Sequence, residues 1–242
     1  MLYIVPTPVG NLGDMTYRGV EVLRKAELIL AEDTRTSGVL FKHYGIDTPT
    51  RSFHKFNEHK VLEGVMERLE QGAEIALVSD AGTPGISDPG FMLVRECRRR
   101  GIPVTTLPGA TALIPAIVSS GLPTDRFVFE GFLPLKKGLR TRLGELAADS
   151  RTVAIYESPH RLSRTLTKLC EAFGEDRHAA VCREISKLHE TIHSGTLGEL
   201  RNFFELNQPK GEIVIVVEGL RNKPRRAGGE TDNEPQSEPK QL

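Results

Sequence analysis

Five short stretches hold the residues best suited to chemistry. They are PTPVGNLGD (residues 6–14), AEDTRTS (31–37), SDAGTPGISDPG (79–90), LPGATA (107–112) and YESPHR (156–161). Each stands at the end of a short apolar run. Gly lets backbone approach a ligand without a Cβ in the way, and Pro fixes the path of a loop. Loops built this way turn backbone N–H and C=O groups outward, where they can read a polar small molecule. One such loop is ordinary turn chemistry; several on one sheet edge make a ligand crevice. The common nucleotide fingerprints are missing, since there is neither a GxGxxG with an acidic residue about 20 positions on nor a GxxxxGK[ST]. GNLGDMT lacks the phosphate-binding Lys, which argues against nucleotide hydrolysis.

AEDTRTS adds carboxylates. Asp33 ends an apolar run and is expected to face the crevice as a base. Glu32 sits beside it on the same strand, and neighbouring strand residues point to opposite faces, so one of the two serves. Asp33 also reads as the N-cap of the next helix, and the two roles are compatible.

The elements that position these loops alternate. Residues 2–7, 27–33, 74–80 and 103–109 read as strands, and 15–26, 60–72, 91–101 and 110–121 as helices. In the second helix Val61, Leu62, Val65, Met66 and Leu69 make an apolar face, with Gly72 as the stop. This alternation predicts an α/β fold with a mostly parallel sheet and helices on both faces. Ligands of such sheets bind beyond the carboxyl ends of the strands. In SDPG, Ser87 or Asp88 is expected as a helix N-cap with Pro89 at the first helical position.

GLPTDRF (121–127) reads as a linker. Beyond it the strand candidates are 127–133, 152–158, 178–186, 189–197 and 211–219, separated by helices over 139–149, 160–174 and 197–207. The third and fourth of these strands nearly touch in sequence, as in a tight hairpin. A second α/β domain with a mixed sheet follows. The expected division is residues 1–119, the catalytic and substrate side, and residues 120–220, completing the cleft. A polar, Pro/Gly-rich tail over 221–242 is expected to be disordered.

The chain has 242 residues, with Lys+Arg and Asp+Glu balanced at 32 each, so no global field marks nucleic acid as a partner. Cys97, Cys170 and Cys182 are scattered, which argues against a disulfide framework or zinc site and for the reducing cytoplasm. The seven His form no HxxxH pair, and no metal is inferred. The first residues lack the basic start of a signal peptide, and no apolar run reaches the ~20 residues of a membrane span.

In this order and spacing, the five stretches resemble the tetrapyrrole methylase superfamily, and within it the ribosomal RNA small subunit methyltransferase branch. The likeness runs from Leu2 to Gly219. It implies two α/β domains, a homodimer, and S-adenosylmethionine folded into the cleft between the domains. It also implies methyl transfer to the ribose 2′-oxygen of a cytidine in the decoding region of 16S small-subunit ribosomal RNA, favoured within the assembled subunit. By the same resemblance Pro8 and Val9 come from the first loop, and Asp80, Ala81, Gly82, Thr83 and Ile86 from the second. Thr111 and Ala112 match the PGxTA segment. Tyr156 and Glu157 cover the cofactor from the second domain, and Lys210, Gly211, Glu212 and Ile213 close over the adenine. Asp33 matches a catalytic carboxylate of the tetrapyrrole relatives. Thr83 stands where those relatives commonly carry Asp, which favours the RNA branch.

An RNA substrate needs charge and stacking. Arg35, His54, Lys55, Arg161 and Arg183 are the expected contacts, with Lys187 near the second-domain opening. RSFHKFNEH (51–59) interleaves Phe53 and Phe56 with His54, Lys55 and His59, and reads equally as a strand edge with a core Phe. RECRRR (95–100) reads rather as a solvated helix end. Two rival functions stay open: a corrinoid or porphyrin methylase of the same fold, and a non-catalytic RNA-binding assembly protein.

Overall fold

The computed structural model describes residues 1–221, and the expected disordered tail lies outside them except for Arg221. Strands β1 (Leu2–Ile4), β2 (Leu28–Ala31), β3 (Thr50–Ser52), β4 (Ile75–Val78) and β5 (Val104–Thr106) form the first sheet. Its order is β3-β2-β4-β1-β5, and every pairing is parallel. β4 is IALV and is buried throughout, as a strand covered on both faces must be. Alternate residues part to the two faces. Leu28, Leu30, Ile75 and Leu77 meet Val65 and Met66 of α3 (Glu58–Glu70) and Leu93 and Cys97 of α4 (Phe91–Arg99). Ile29, Ala31, Ala76 and Val78 meet Val20 and Leu23 of α1 (Tyr17–Lys25) and Leu40 and Phe41 of α2 (Thr34–Tyr44).

This division of helices fixes where a ligand can sit. The chain leaves β1 across the α1 face and leaves β4 across the α4 face, in opposite directions along the sheet. β1 and β4 are neighbours, so the loops after them diverge and leave a crevice at the carboxyl edge.

The second sheet holds β6 (Phe127–Phe132), β7 (Thr152–Glu157), β8 (His178–Arg183), β9 (Thr191–Thr196) and β10 (Ile213–Val217), in the order β6-β7-β10-β8-β9. β6 and β7 are parallel and the other pairs antiparallel, so the sheet is mixed. Ile213, Ile215 and Val217 pack with α6 (Leu139–Ala148), α7 (Leu162–Phe173) and α8 (Leu197–Leu206). Val214 and Val216 pack instead with Ala116 of α5 (Leu113–Ser119). α5 follows the first sheet in the chain yet covers the second.

Several local expectations are corrected. β8 ends at Arg183 and β9 starts at Thr191, so residues 184–190 form a folded loop and not a tight hairpin. Glu184 and Ser186 take φ of 54° and 66°, and the Glu190 carboxylate accepts from the Ser186 amide at 2.7 Å. β2 stops at Ala31, so Glu32 and Asp33 lie past the strand, and Asp33 is the N-cap of α2. α4 begins at Phe91 with Gly90 as N-cap, and neither Ser87 nor Asp88 caps it. Positive φ at Gly85, Ser87 and Gly90 keeps the loop turning beyond SDPG. Arg100 of RECRRR bonds Glu96 at 2.6 Å and reaches Glu63 and Glu70 of α3 at 2.7 and 3.0 Å, which ties the two helices together.

Gly90 passes so close to β4 that a Cβ there would lie 2.8 Å from Leu77 Cδ2, at a φ of 133°. Gly90→Ala is therefore expected to destabilise the fold by about 1–3 kcal/mol. Gly144, inside α6, has open space around it. Gly144→Ala is expected to stabilise by roughly 0.5–1 kcal/mol. Urea unfolding of the two variants checks the opposite signs.

Candidate active site

A cleft of about 310 Å³ lies at the carboxyl ends of β1, β2 and β4, roofed by the second domain. Its floor is backbone. The Thr7 amide donates to the Gly82 carbonyl at 2.9 Å, and the Gly82 amide returns a bond to Thr7 at 2.8 Å. Thr7 Oγ1 donates to the Ser79 carbonyl at 3.0 Å, and Thr83 Oγ1 to the Ala110 carbonyl at 3.1 Å. Three Gly/Pro loops are thus stitched into one surface. Gly82 sits at their junction with φ of 80°, and a Cβ there would face Val9 Cγ1 at 3.6 Å and Thr111 Cα at 3.9 Å.

The first domain contributes Val9, Glu32, Asp80, Ala81, Gly82, Thr83, Ile86, Thr111 and Ala112 to the lining. The second contributes Tyr156, Glu212 and Ile213. Expected residues from six separate segments therefore meet in one place. Pro8 and Gly211 do not line it. Glu157 does not either: it neighbours Tyr156 on a strand, so its side chain enters the opposite, buried face. There it accepts from Thr165 Oγ1 at 2.6 Å and the Ser158 amide at 2.7 Å, and it pairs with Arg161 at 3.2 Å.

Four carboxylates, Glu32, Asp80, Asp88 and Glu212, give the lining a strongly acidic character. Burial pushes the Asp88 carboxyl up to about 7, and the charge of Glu32 adds to the effect. Burial also raises Glu32, followed by the charge of Asp80, while Lys55 and His54 oppose the shift. Asp80 is raised by burial as well, and it accepts the Asp33 amide at 3.0 Å. Asp33 behaves differently. Its carboxylate takes the Arg35 side chain at 2.7 Å and the Arg35 amide at 2.8 Å, which hold it well below the usual carboxylate range. It stands outside the cleft lining.

An acidic, partly dry cleft with a backbone floor suits a ligand that carries positive charge and many hydrogen-bonding groups. S-adenosylmethionine, with a sulfonium and an ammonium, fits this donor set. Among the described residues, no group of three His, Cys, Asp or Glu stands close enough to hold a metal ion, and no helix is long and apolar enough to cross a membrane.

The expected RNA contacts divide. His54 and Lys55 stand beside Glu32, and Arg35 is exposed over the Asp33 cap. Arg161 is held by Glu157 and the Leu133 carbonyl at 3.2 Å. Arg183 is engaged by Thr191 Oγ1 at 3.1 Å and by the carbonyls of Lys210 at 3.1 Å and His189 at 2.8 Å. These last two arginines shape loops at the cleft. Lys187 also closes it, bonding Glu184 at 2.8 Å and Glu212 at 3.1 Å while lying against Gly10 of the first loop. Ser186 donates to the Asp14 carboxylate across the same gap.

The sequence reading missed Ser87, Asp88, Phe132, Cys182, Ile185 and Val214. For Cys182 and Val214 the period-2 alternation of β8 and β10 was an available signal. Asp88 carried none, because Ser-Asp-Pro is also the signature of a helix start.

Residues 1–201 match the profile of the Tetrapyrrole (Corrin/Porphyrin) Methylases. The chain is 52% identical over 220 residues to the Ribosomal RNA small subunit methyltransferase I of Synechocystis sp., a match covering 90% of this chain and 79% of that one. It is 49% identical over 221 residues to the protein of the same name from Escherichia coli O157:H7, covering 90% and 77%. Among solved structures, a cobalamin biosynthetic enzyme, cobalt precorrin-4 methyltransferase, superposes with a TM-score of 0.68 at 18% identity, over 90% of this chain and 94% of that one. The last likeness is one of fold.

Asp88 gives the cleft a pH signature. Its carboxyl holds a proton up to about 7 in the fold but releases it near 3.8 when unfolded. Between those values the unfolded chain binds fewer protons, so its contribution makes stability fall as pH rises. Without ligand, the thermal midpoint of the wild type is expected to drop more from pH 5 to pH 7.5 than that of Asp88→Asn. Equal drops would remove Asp88 as the cause.

Proposed function

The chain belongs to the tetrapyrrole (corrin/porphyrin) methylase family, and from that premise we propose that it methylates the ribose 2′-oxygen of a cytidine in the decoding region of 16S small-subunit ribosomal RNA. The observation that carries the RNA substrate is an identity of about half, over 90% of this chain, with relatives named as ribosomal RNA small subunit methyltransferases. Thr83 supports it, since its hydroxyl braces the Ala110 carbonyl where the tetrapyrrole branch commonly has Asp. The reading includes a cytoplasmic homodimer, with domains of residues 1–119 and 120–220.

S-adenosylmethionine supplies, when bound, a methyl group on a positively charged sulfonium. The chain's part is placement and proton handling. Val9, Ala81, Gly82, Thr111 and Ala112 offer a backbone floor, while Tyr156, Glu212 and Ile213 close the other wall. The acidic lining is compensated by a cationic ligand, which favours binding over neutral analogues. Positioning for in-line approach supplies much of the rate in such a transfer.

A ribose hydroxyl must also lose its proton. Of the two adjacent carboxylates, Glu32 lines the cleft and has a raised proton affinity. Asp33 is bound to Arg35 and is a weak base. We assign Glu32 as the proton acceptor and Asp33 as the cap that aims Arg35 at the mouth of the cleft. Arg35, His54 and Lys55 then meet RNA phosphates, while Arg161 and Arg183 act by holding loops.

Methyl mapping of the small-subunit RNA with and without the protein tests the reaction; a map that does not change would sink it. Glu32→Gln is expected to lower kcat by about 10²–10⁴-fold with little change in S-adenosylmethionine affinity. Asp33→Asn is expected to cost less activity and at most about 1 kcal/mol of stability. The reverse order would return the base to Asp33. S-adenosylmethionine at 100 times its Kd is expected to add about 2.7 kcal/mol of apparent stability, read as a rise in Tm.

A further inference from the structure

We propose that residues 54–57 form a rigid stacking platform for an unpaired RNA base, with Phe56 as its ring. This rests on the RNA reading above and adds the mode of contact to it. The two phenylalanines of the segment have separate fates. Phe53 is fully buried, and its amide donates to the Ala31 carbonyl at 2.8 Å, so it anchors the segment beside Glu32. Phe56 is 79% exposed.

An exposed aromatic on a floppy loop would mean little, but this one is fixed. The His54 amide donates to Asn57 Oδ1 at 2.8 Å, and Asn57 Nδ2 donates back to the Ser52 carbonyl at 3.1 Å. The Phe56 amide itself donates to His54 Nδ1 at 3.2 Å. These bonds fix the backbone that carries the ring, and the ring itself stands edge-on to His54 at 6.0 Å between centroids. Lys55 Nζ lies 4.9 Å from the ring centroid, a cation–π contact that leaves the rest of the ring open.

The surroundings select the partner. Arg51, Lys55 and Lys60 are exposed and, among the described residues, none is in an ion pair. A protein hot spot is a packed apolar core with a polar rim; here the Phe56 ring stands between the exposed cations Arg51, Lys55 and Lys60. That pairing of a π-face with phosphate-binding charge is the chemistry of unpaired nucleic acid. It also gives the target nucleotide room: a neighbouring base stacked on Phe56 is drawn out of its helix, and the adjacent ribose faces Glu32.

The chain contains no Trp, so Phe56→Trp places a single reporter in the platform. The probe is the small ribosomal subunit purified from cells lacking this enzyme. Adding it is expected to quench the Trp emission, with the quench weakening as salt rises. In steady-state methylation of the same subunits, Phe56→Ala and Phe56→Leu are expected to raise the subunit KM by about 10- to 100-fold. S-adenosylmethionine affinity and Tm stay as in the wild type, and Phe56→Trp restores the KM. Wild-type KM in both Phe56→Ala and Phe56→Leu, or bound subunits with unquenched Trp, overturns the platform. A wild-type protein that does not methylate the subunits overturns the RNA reading itself, and the platform with it.

Discussion

Two backbone hydrogen bonds exchanged by Thr7 and Gly82 hold together the part of the molecule on which the rest depends. β1 and β4 send their following connections to opposite faces of the sheet, so nothing in the sheet itself closes the gap between their loops. The reciprocal pair bridges it with backbone alone. No side chain occupies the bridge, and the floor stays flat enough for a ligand to lie on. The nearby bonds of Thr7 Oγ1 and Thr83 Oγ1 extend the same device to Ser79 and Ala110. The price of building a floor from backbone is left-handed geometry at Gly82, Gly85, Ser87 and Gly90, which explains the loop's composition better than turn formation does.

The second organising effect is charge. Glu32, Asp80 and Asp88 crowd one side of a partly dry space, and each holds its proton more tightly than usual. Burial is the main cause in each case, with repulsion between neighbouring carboxylates added to it, and a cationic ligand offsets both. Asp33 stands one residue from the group and escapes it through Arg35. Two adjacent carboxylates thus have opposite proton affinities, set by which of them faces water and a guanidinium.

The fold was legible because its signals are local. Apolar runs such as IALV and IVIVV are long enough to span a sheet but too short for helices, and the amphipathic α3 has a clear apolar face. The floor of the site was legible because several Gly/Pro loops fall together at the ends of strands of one sheet, where a single one would read as a turn. What escaped was set by tertiary contact. Asp88 follows Ser87 at positive φ, in a loop whose Gly90 packs against Leu77 of β4, and local sequence cannot show that. β2 ends at Ala31, and just past it the Asp33 amide donates to Asp80, 47 residues further on, a tertiary bond no local pattern announces. Phe53 and Phe56 are identical in type and three apart, and only their packing distinguishes an anchor from a free ring.

α5 makes the two halves hard to separate. It belongs by chain order to the first half, yet Ala116 packs with Ala180, Cys182, Val214 and Val216 of the second sheet. A cut within residues 121–126 would leave that helix on one fragment and bare an apolar sheet face on the other. The fragments would then be mutually dependent, each carrying the other's missing surface. Evolution by exchange of whole domains is correspondingly restricted in this architecture: a new second half must bring a face that accepts the old α5, so substrate changes come more easily through loops at the mouth than through replacement of the roof.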